Sequence, residues 1–261
     1  MKRLLVLALA FFSFTTLAAP KSELWSYWQK SNESNSTIVS HQTWQNLLDA
    51  YLVKEEEHAL FQYAKVSDQD KSLLKAYITQ LEDVDPLILN RAEQYAYWVN
   101  LYNAVTVDLI LDAYPIKSIT KLGGLFTFGP WGEDVVVVNG KDLTLNDIEH
   151  RILRPIWNDP RTHYAVNCAS LGCPNLQRDA FTAQNTEMLL EDAAKQFINS
   201  DKGVLVHDSK VLLSSIYDWF SDDFGSTEQQ LFEHLSRYRP ELKNYSGKVT
   251  YDYDWNLNEK R

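Results

Sequence analysis

Both cysteines of the chain, Cys168 and Cys173, fall inside the fourteen-residue stretch HYAVNCASLGCPNL, which also carries His163. Any thiol chemistry must be centred there. His163 to Asn167 reads as a short, mostly apolar strand, and the Gly and Pro that follow read as a turn, so Cys168 is expected where a strand opens into a loop. A strand end fixes the position of a reactive group while the loop admits substrate. Three chemistries fit the pair: a Cys168–Cys173 disulfide, a nucleophilic Cys168, or two buried inert thiols. A structural zinc would need a second pair of closely spaced ligands, which is lacking, and no cofactor is expected.

The elements that must position these residues follow from periodicity. From Thr43, the residues Trp44, Leu47, Leu48, Tyr51 and Leu52 share a helical face, and Leu60 to Val66 reads as an extended piece. Ser67 caps a helix with the stripe Leu73, Leu74, Tyr77, Ile78 and Leu81, with Asp70 at capping-box spacing. Asn90 opens the longest helix, Arg91 to Tyr114, which is apolar around nearly its whole circumference and therefore expected in the core. Its polar exceptions, Glu93, Asn100 and Asn103, form a seam along one side. They read either as structural amides and a capping carboxylate or as part of a site. The run EDVVVVNGKDLTL reads as a hairpin turning at Asn139 and Gly140. Asn146 then caps DIEHRILRPIW, which puts Glu149 and His150 near the edge of a buried face. After a helix over Glu187 to Ile198, Val204–Val206 and Val211–Leu213 form a second hairpin, Ser226 and Gln229 have capping-box spacing, and KVTYDYDWNLN alternates like a strand. The class is α+β: one domain with a long buried helix packed on a small antiparallel, hairpin-built sheet, with a papain- or transglutaminase-like arrangement in view.

The first eighteen residues pair Lys2 and Arg3 with an apolar run from Leu4 to Phe12 and end in small residues, so residues 1–18 read as a secretory signal peptide and Ala19 as the mature start. Residues 19–40 form a polar N-terminal segment, and 41–261 form the domain. The expected location is the periplasm or the exterior, with no stable membrane anchor after cleavage. The formal net charge is −10, and −12 without Lys2 and Arg3, which argues against nucleic acid as a partner. A hydrophobic content of 45% supports a true core, and the richness in Trp and Tyr suits either that core or a sugar or peptide groove. The acidic pairs Asp222/Asp223 and Asp252/Asp254 read as solvated, with calcium binding as the other reading.

Five segments in order, EQYAYWVNLYNA, LNDIEHRILR, HYAVNCASLGCPNL, IYDWFSDDFG and DWNLN, resemble domain of unknown function family 547 over roughly Thr43 to Asn258. The resemblance implies motif positions and no established activity: Glu93, Asn100 and Asn103; Glu149 and His150; and His163, Cys168, Ser170 and Cys173. In a straight strand His163 and Cys168 would point to opposite faces with α-carbons about 17 Å apart. His150, docked from its helix, is then the better base for Cys168, with Glu93 orienting it and the amides of Ala169 and Ser170 facing an oxyanion. Asn100, Asn103, His163 and Ser170 are the binding candidates. The expected activity is a thiol-dependent hydrolase or acyltransferase acting on an amide, ester or thioester of a small-molecule or peptide substrate. The alternative is a non-enzymatic periplasmic binding or envelope-interaction module with a Cys168–Cys173 disulfide.

Overall fold

The structure is a computed structural model that describes residues 19–124, 128–207 and 210–260; the expected signal peptide lies outside them. It has the expected α+β architecture. Helix α1 (Gln42–Tyr51) runs directly into the hairpin β1 (Leu52–Glu55) and β2 (His58–Phe61), so the apolar face read as continuing to Leu52 ends one residue earlier. Helix α2 (Asp68–Glu82) starts where expected, with Ser67 accepting from the Asp70 amide. It buries Leu74, Tyr77, Ile78 and Leu81, whereas Leu73 faces solvent.

The central helix α3 (Arg91–Ala113) is buried along most of its length, as the all-round apolar pattern requires. The Asn90 side chain accepts from the Glu93 amide, which is half a capping box. The other half does not form, because the Glu93 carboxylate accepts instead from the backbone of Val39 at 2.7 Å.

Strands β3 (Asp134–Val138) and β4 (Lys141–Thr144) make the expected hairpin. Asn139 and Gly140 both have positive φ, the geometry an Asn-Gly turn supplies at least cost. The next segment departs from expectation. Residues Asp147–Leu153 form a π-helical turn that continues into α4 (Arg154–Trp157), and the Asn146 side chain caps nothing. Thr144 takes that role: its hydroxyl accepts from the Asp147 amide while Asp147 accepts from Thr144 in return. The wider π turn brings both Glu149 and His150 inside, where an α-helix would leave them at the edge of the face.

The expected strand at His163 is also absent. Thr162–Ala165 is a one-turn helix, α5, and the chain becomes extended only at Val166. Helix α6 (Thr186–Ile198) leads to β5 (Val204–His207) and β6 (Lys210–Ser214), followed by α7 (Ile216–Trp219), α8 (Ser221–Phe224), α9 (Glu228–Leu235) and β7 (Lys248–Asp252). Thr227, not Ser226, caps α9. In place of one antiparallel sheet, the described strands form two hairpins and a three-stranded sheet in which β7 lies parallel to β6.

The apolar residues divide into two clusters. One surrounds α3 with α1, α2 and the β3–β4 hairpin, and the other joins α6 to β5, β6 and α7 to α9. The cysteine segment runs along their seam, with Tyr164 in the second cluster and Ala165, Val166 and Ala169 in the first.

Candidate functional site

Asn103 fixes the approach to Cys168. Its amide nitrogen donates to the Ala165 carbonyl at 3.0 Å and its oxygen accepts from the Asn167 amide at 2.8 Å, so one side chain satisfies both backbone groups before the cysteine. Asn100 does the same for Phe181, donating to its carbonyl at 2.7 Å and accepting from its amide at 3.0 Å. The polar seam of α3 therefore clamps backbone at two points.

Beyond Asn167 the chain turns sharply, with Ala169 at φ 54°. The loop is pinned to the C-terminal segment: Leu171 donates to Asn256, Gly172 donates to Asp254, and Asn258 donates to Ala169. A Cβ at Gly172 would lie 2.7 Å from the Asp254 amide nitrogen, so this close approach requires glycine. The Cys168 sulfur is thereby placed 2.9 Å from Cys173 Sγ, 3.3 Å from Ser170 Oγ and 3.0 Å from the Tyr253 hydroxyl, and Ser170 and Tyr253 bond each other at 3.0 Å. Both cysteines are free thiols, so the expected alternative of a standing disulfide is not what this structure contains. Cys168 is partly exposed and Cys173 is buried.

Burial is the largest influence on Cys168 and opposes ionisation. Contacts from Cys173, Ser170 and Tyr253 outweigh it and hold the thiol below its ordinary pKa, against a smaller upward push from Glu149. Burial drives Cys173 the other way, helped by its bond to Cys168 and by the Cys168 charge, so Cys168 is the first of the pair to lose its proton. Tyr253 is held protonated, mainly by burial and then by the two cysteines, and remains a donor. Lys202 bonds the Cys173 carbonyl at 2.8 Å and Asn175 at 2.7 Å, and burial lowers it to about 8.

The expected triad is not assembled. Among the described residues no imidazole nitrogen is hydrogen-bonded to Cys168. His150 Nδ1 instead faces Arg154 at 2.9 Å, because the π turn sets it over the guanidinium four residues on. Glu93, committed to Val39, does not orient it. The amide of Ala169 donates to Asn167 Oδ1 at 2.9 Å, which removes one of the two expected oxyanion donors.

His150 and His163 belong to a second, ionic cluster. His163 Nε2 lies 2.6 Å from Asp223, its Nδ1 lies 3.5 Å from Glu149, and its ring stacks on Phe220. Asp223 also accepts from Arg154 at 2.6 Å, so the reading of Asp223 as solvated is corrected; α8 turns it inward against the Arg154 guanidinium and the His163 ring. Asp222 is exposed, as are Asp252 and Asp254. Burial opposes the charge on Glu149, but His150, His163 and Arg154 hold it down to about 2. Burial likewise disfavours charge on Asp223, which His163 and Arg154 hold below the usual carboxylate range. For His163, burial is outweighed by Asp223 and Glu149, and its pKa is raised.

This pattern sets an acid sensitivity. Burial lowers His41, His150 and His234 to about 4. The unfolded chain takes up those protons near pH 6.5, so between about 6.5 and about 4 it binds more protons and stability falls as pH falls. Glu149 and Asp223, both lowered, extend the loss below the ordinary carboxylate pKa. His163 runs the other way, contributing fully below about 6.5 and fading as pH rises through its folded value. Melting temperature is expected to decline already below about pH 6.5, well before the carboxylate range. A flat profile down to about pH 5 would contradict the buried neutral histidines.

Of the residues missed by sequence reasoning, Tyr253, Lys202 and Asp223 come from segments distant from Cys168 in the chain, and Arg154 lies one helical turn beyond His150. Tyr253 also ends an aromatic run of partly exposed rings. It packs on Trp219 (4.8 Å) and Trp255 (4.5 Å), and Trp255 packs on Trp131 (5.7 Å) and on Phe128 (5.1 Å), which is 50% exposed.

The fold and site thus define an α+β protein with a polarised dithiol at the seam of two apolar clusters. Residues 86–198 match the family model described as "Protein of unknown function, DUF547". The span holds α3, the π turn, the cysteine segment and α6, while Lys202, Asp223 and Tyr253 lie beyond it. No curated protein matches the chain, and no solved structure does.

Proposed function

We propose that the chain is an exported thiol-dependent hydrolase or acyltransferase in which Cys168 attacks the carbonyl of an amide, ester or thioester. The observation that carries this reading is the ring of contacts around one partly exposed sulfur, from Ser170, Cys173 and Tyr253. Hydroxyls take the place of the imidazole: they stabilise a thiolate that has already lost its proton to solvent. The carbon–sulfur bond forms, the carbonyl electrons move to oxygen, and the leaving group departs with a solvent proton relayed through the Ser170–Tyr253 pair. Water, or a second acceptor, then cleaves the thioester and returns Cys168. The aromatic run ending at Tyr253 provides an apolar wall for the substrate of this step.

The test is acyl trapping. Incubation with an aryl acetate is expected to give a burst of phenol and an acetyl group on Cys168, both abolished by Cys168→Ser. An unchanged burst in that variant, or no adduct on the wild type, would overturn the proposal. A related outcome concerns Tyr253→Phe, which removes one of the three contacts to the sulfur. Its thiol pKa is expected to rise, slowing alkylation near neutral pH several-fold at unchanged maximal rate; an unmoved pH profile would show that the phenol plays no part.

The second reading, a periplasmic binding or envelope-interaction module, is favoured by the close approach of the two sulfurs. A purified native protein that carries a Cys168–Cys173 bond resistant to mild reduction would support it.

A further inference from the structure

We propose that Cys168 is a site of reversible oxidation by peroxides, with Cys173 as the resolving thiol whose disulfide takes the nucleophile out of service. This rests on the reading of Cys168 as the reactive group and adds a co-reactant class and a second role for the pair.

The geometry separates the two sulfurs by function. Cys168 is partly exposed, while Cys173 is buried directly behind it at 2.9 Å. A disulfide requires about 2.05 Å, so the sulfurs need to close by less than about 1 Å. The loop between them is held at both sides: Cys173 donates its amide to Ser170, and Leu171 and Gly172 are bonded to the C-terminal segment. The approach is therefore a side-chain rotation, with no backbone opening needed. The Cys168 amide already donates to Cys173 Sγ at 3.0 Å, which favours a negative sulfur at position 173 once one can form.

The Cys168 thiolate attacks one peroxide oxygen; the sulfur–oxygen bond forms, the oxygen–oxygen bond breaks, and hydroxide leaves to become water with a solvent proton. Cys168 is now a sulfenic acid and carries no charge. The neighbouring anion that had helped hold Cys173 protonated is gone. Cys173 releases its proton and attacks the Cys168 sulfur; the sulfur–sulfur bond forms, the sulfur–oxygen bond breaks, and the second oxygen leaves as water. Two thiols have lost two electrons, and peroxide has become two waters. A small-molecule dithiol reverses the step by exchange.

The experiment treats the reduced, purified protein with a stoichiometric amount of hydrogen peroxide and follows it by intact mass and by mapping of non-reduced peptides. The expected result is a loss of two hydrogens, a Cys168–Cys173 cross-linked peptide, loss of iodoacetamide labelling, and full recovery with dithiothreitol. In Cys173→Ser the same dose is expected to add oxygens to Cys168 instead. Accumulation of a sulfinic acid on wild-type Cys168 without a cross-link would overturn the proposal, as would a bond that dithiothreitol does not open. Rapid alkylation of Cys168 without cross-linking would remove the resolving role and leave the nucleophile standing. Slow alkylation without cross-linking would remove both.

Discussion

Asn103→Leu is expected to be among the most destabilising single substitutions in the protein, costing about 3 to 5 kcal/mol. The side chain is 2% exposed, and it satisfies the Ala165 carbonyl and the Asn167 amide at once. Leucine matches its size closely, so there is little cavity to explain away the result. What is lost is the hydrogen bonding of two buried backbone groups, each costing about 1 to 3 kcal/mol when left without a partner. The released groups directly precede Cys168, so the variant is also expected to loosen the loop and lower the difference in alkylation rate between Cys168 and Cys173. Urea unfolding measures the first effect and labelling of the folded fraction the second. A cost below about 1 kcal/mol would mean that the clamp is dispensable.

The second large effect is expected at Asp223. Its carboxylate joins Arg154 and His163, whose side chains are only 4% and 2% exposed. Asp223→Leu strands a buried guanidinium and is expected to cost about 3 to 5 kcal/mol. Asp223→Asn keeps an acceptor and should cost less. The double variant Asp223→Leu with Arg154→Met removes both charges and is expected to recover part of the loss, since the penalty lies in the unpaired ion. In Asp223→Leu the His163 imidazole, now dominated by burial, should titrate below its wild-type value by NMR. An unchanged His163 titration would show that Asp223 is not its partner.

The elements that were readable from sequence are those governed by local rules. The Ser67 and Asn90 caps, the all-round apolar α3 and the Asn-Gly hairpin each depend on neighbours within a few residues, and each is found. The segment after Thr144 depends on a choice between four- and five-residue turns that periodicity barely separates, and the π form carries Glu149 and His150 from the edge of the buried face to its inside. His163 to Asn167 looked like a strand because its residues are apolar and bulky; pairing partners decide strands, and Asn103 supplies bonds there that a sheet would have supplied.

At the site, the cysteine segment and Ser170 could be singled out because rare residues concentrate there. Tyr253 could not, since one of fourteen tyrosines in an alternating aromatic run has no local mark. Asp223 reads as one member of a surface pair until Arg154 and His163, far away in sequence, are seen beside it. Assigning the base to His150 followed from the general preference for imidazole beside a thiol. The Arg154 contact that redirects that ring comes from only four residues on, but it depends on the π turn, which periodicity barely separates from an α-helix.

Central to this chemistry is Cys168 as a free, ionisable sulfur held below the ordinary thiol range by Cys173, Ser170 and Tyr253. The direct measurement is the rate of iodoacetamide alkylation at each cysteine of the reduced native protein as a function of pH, resolved by peptide mass. Cys168 is expected to react with a midpoint below the ordinary thiol value of about 8.5 while Cys173 stays unlabelled across the same range. A Cys168 midpoint at or above that value, or equal slow labelling of both cysteines, would contradict it.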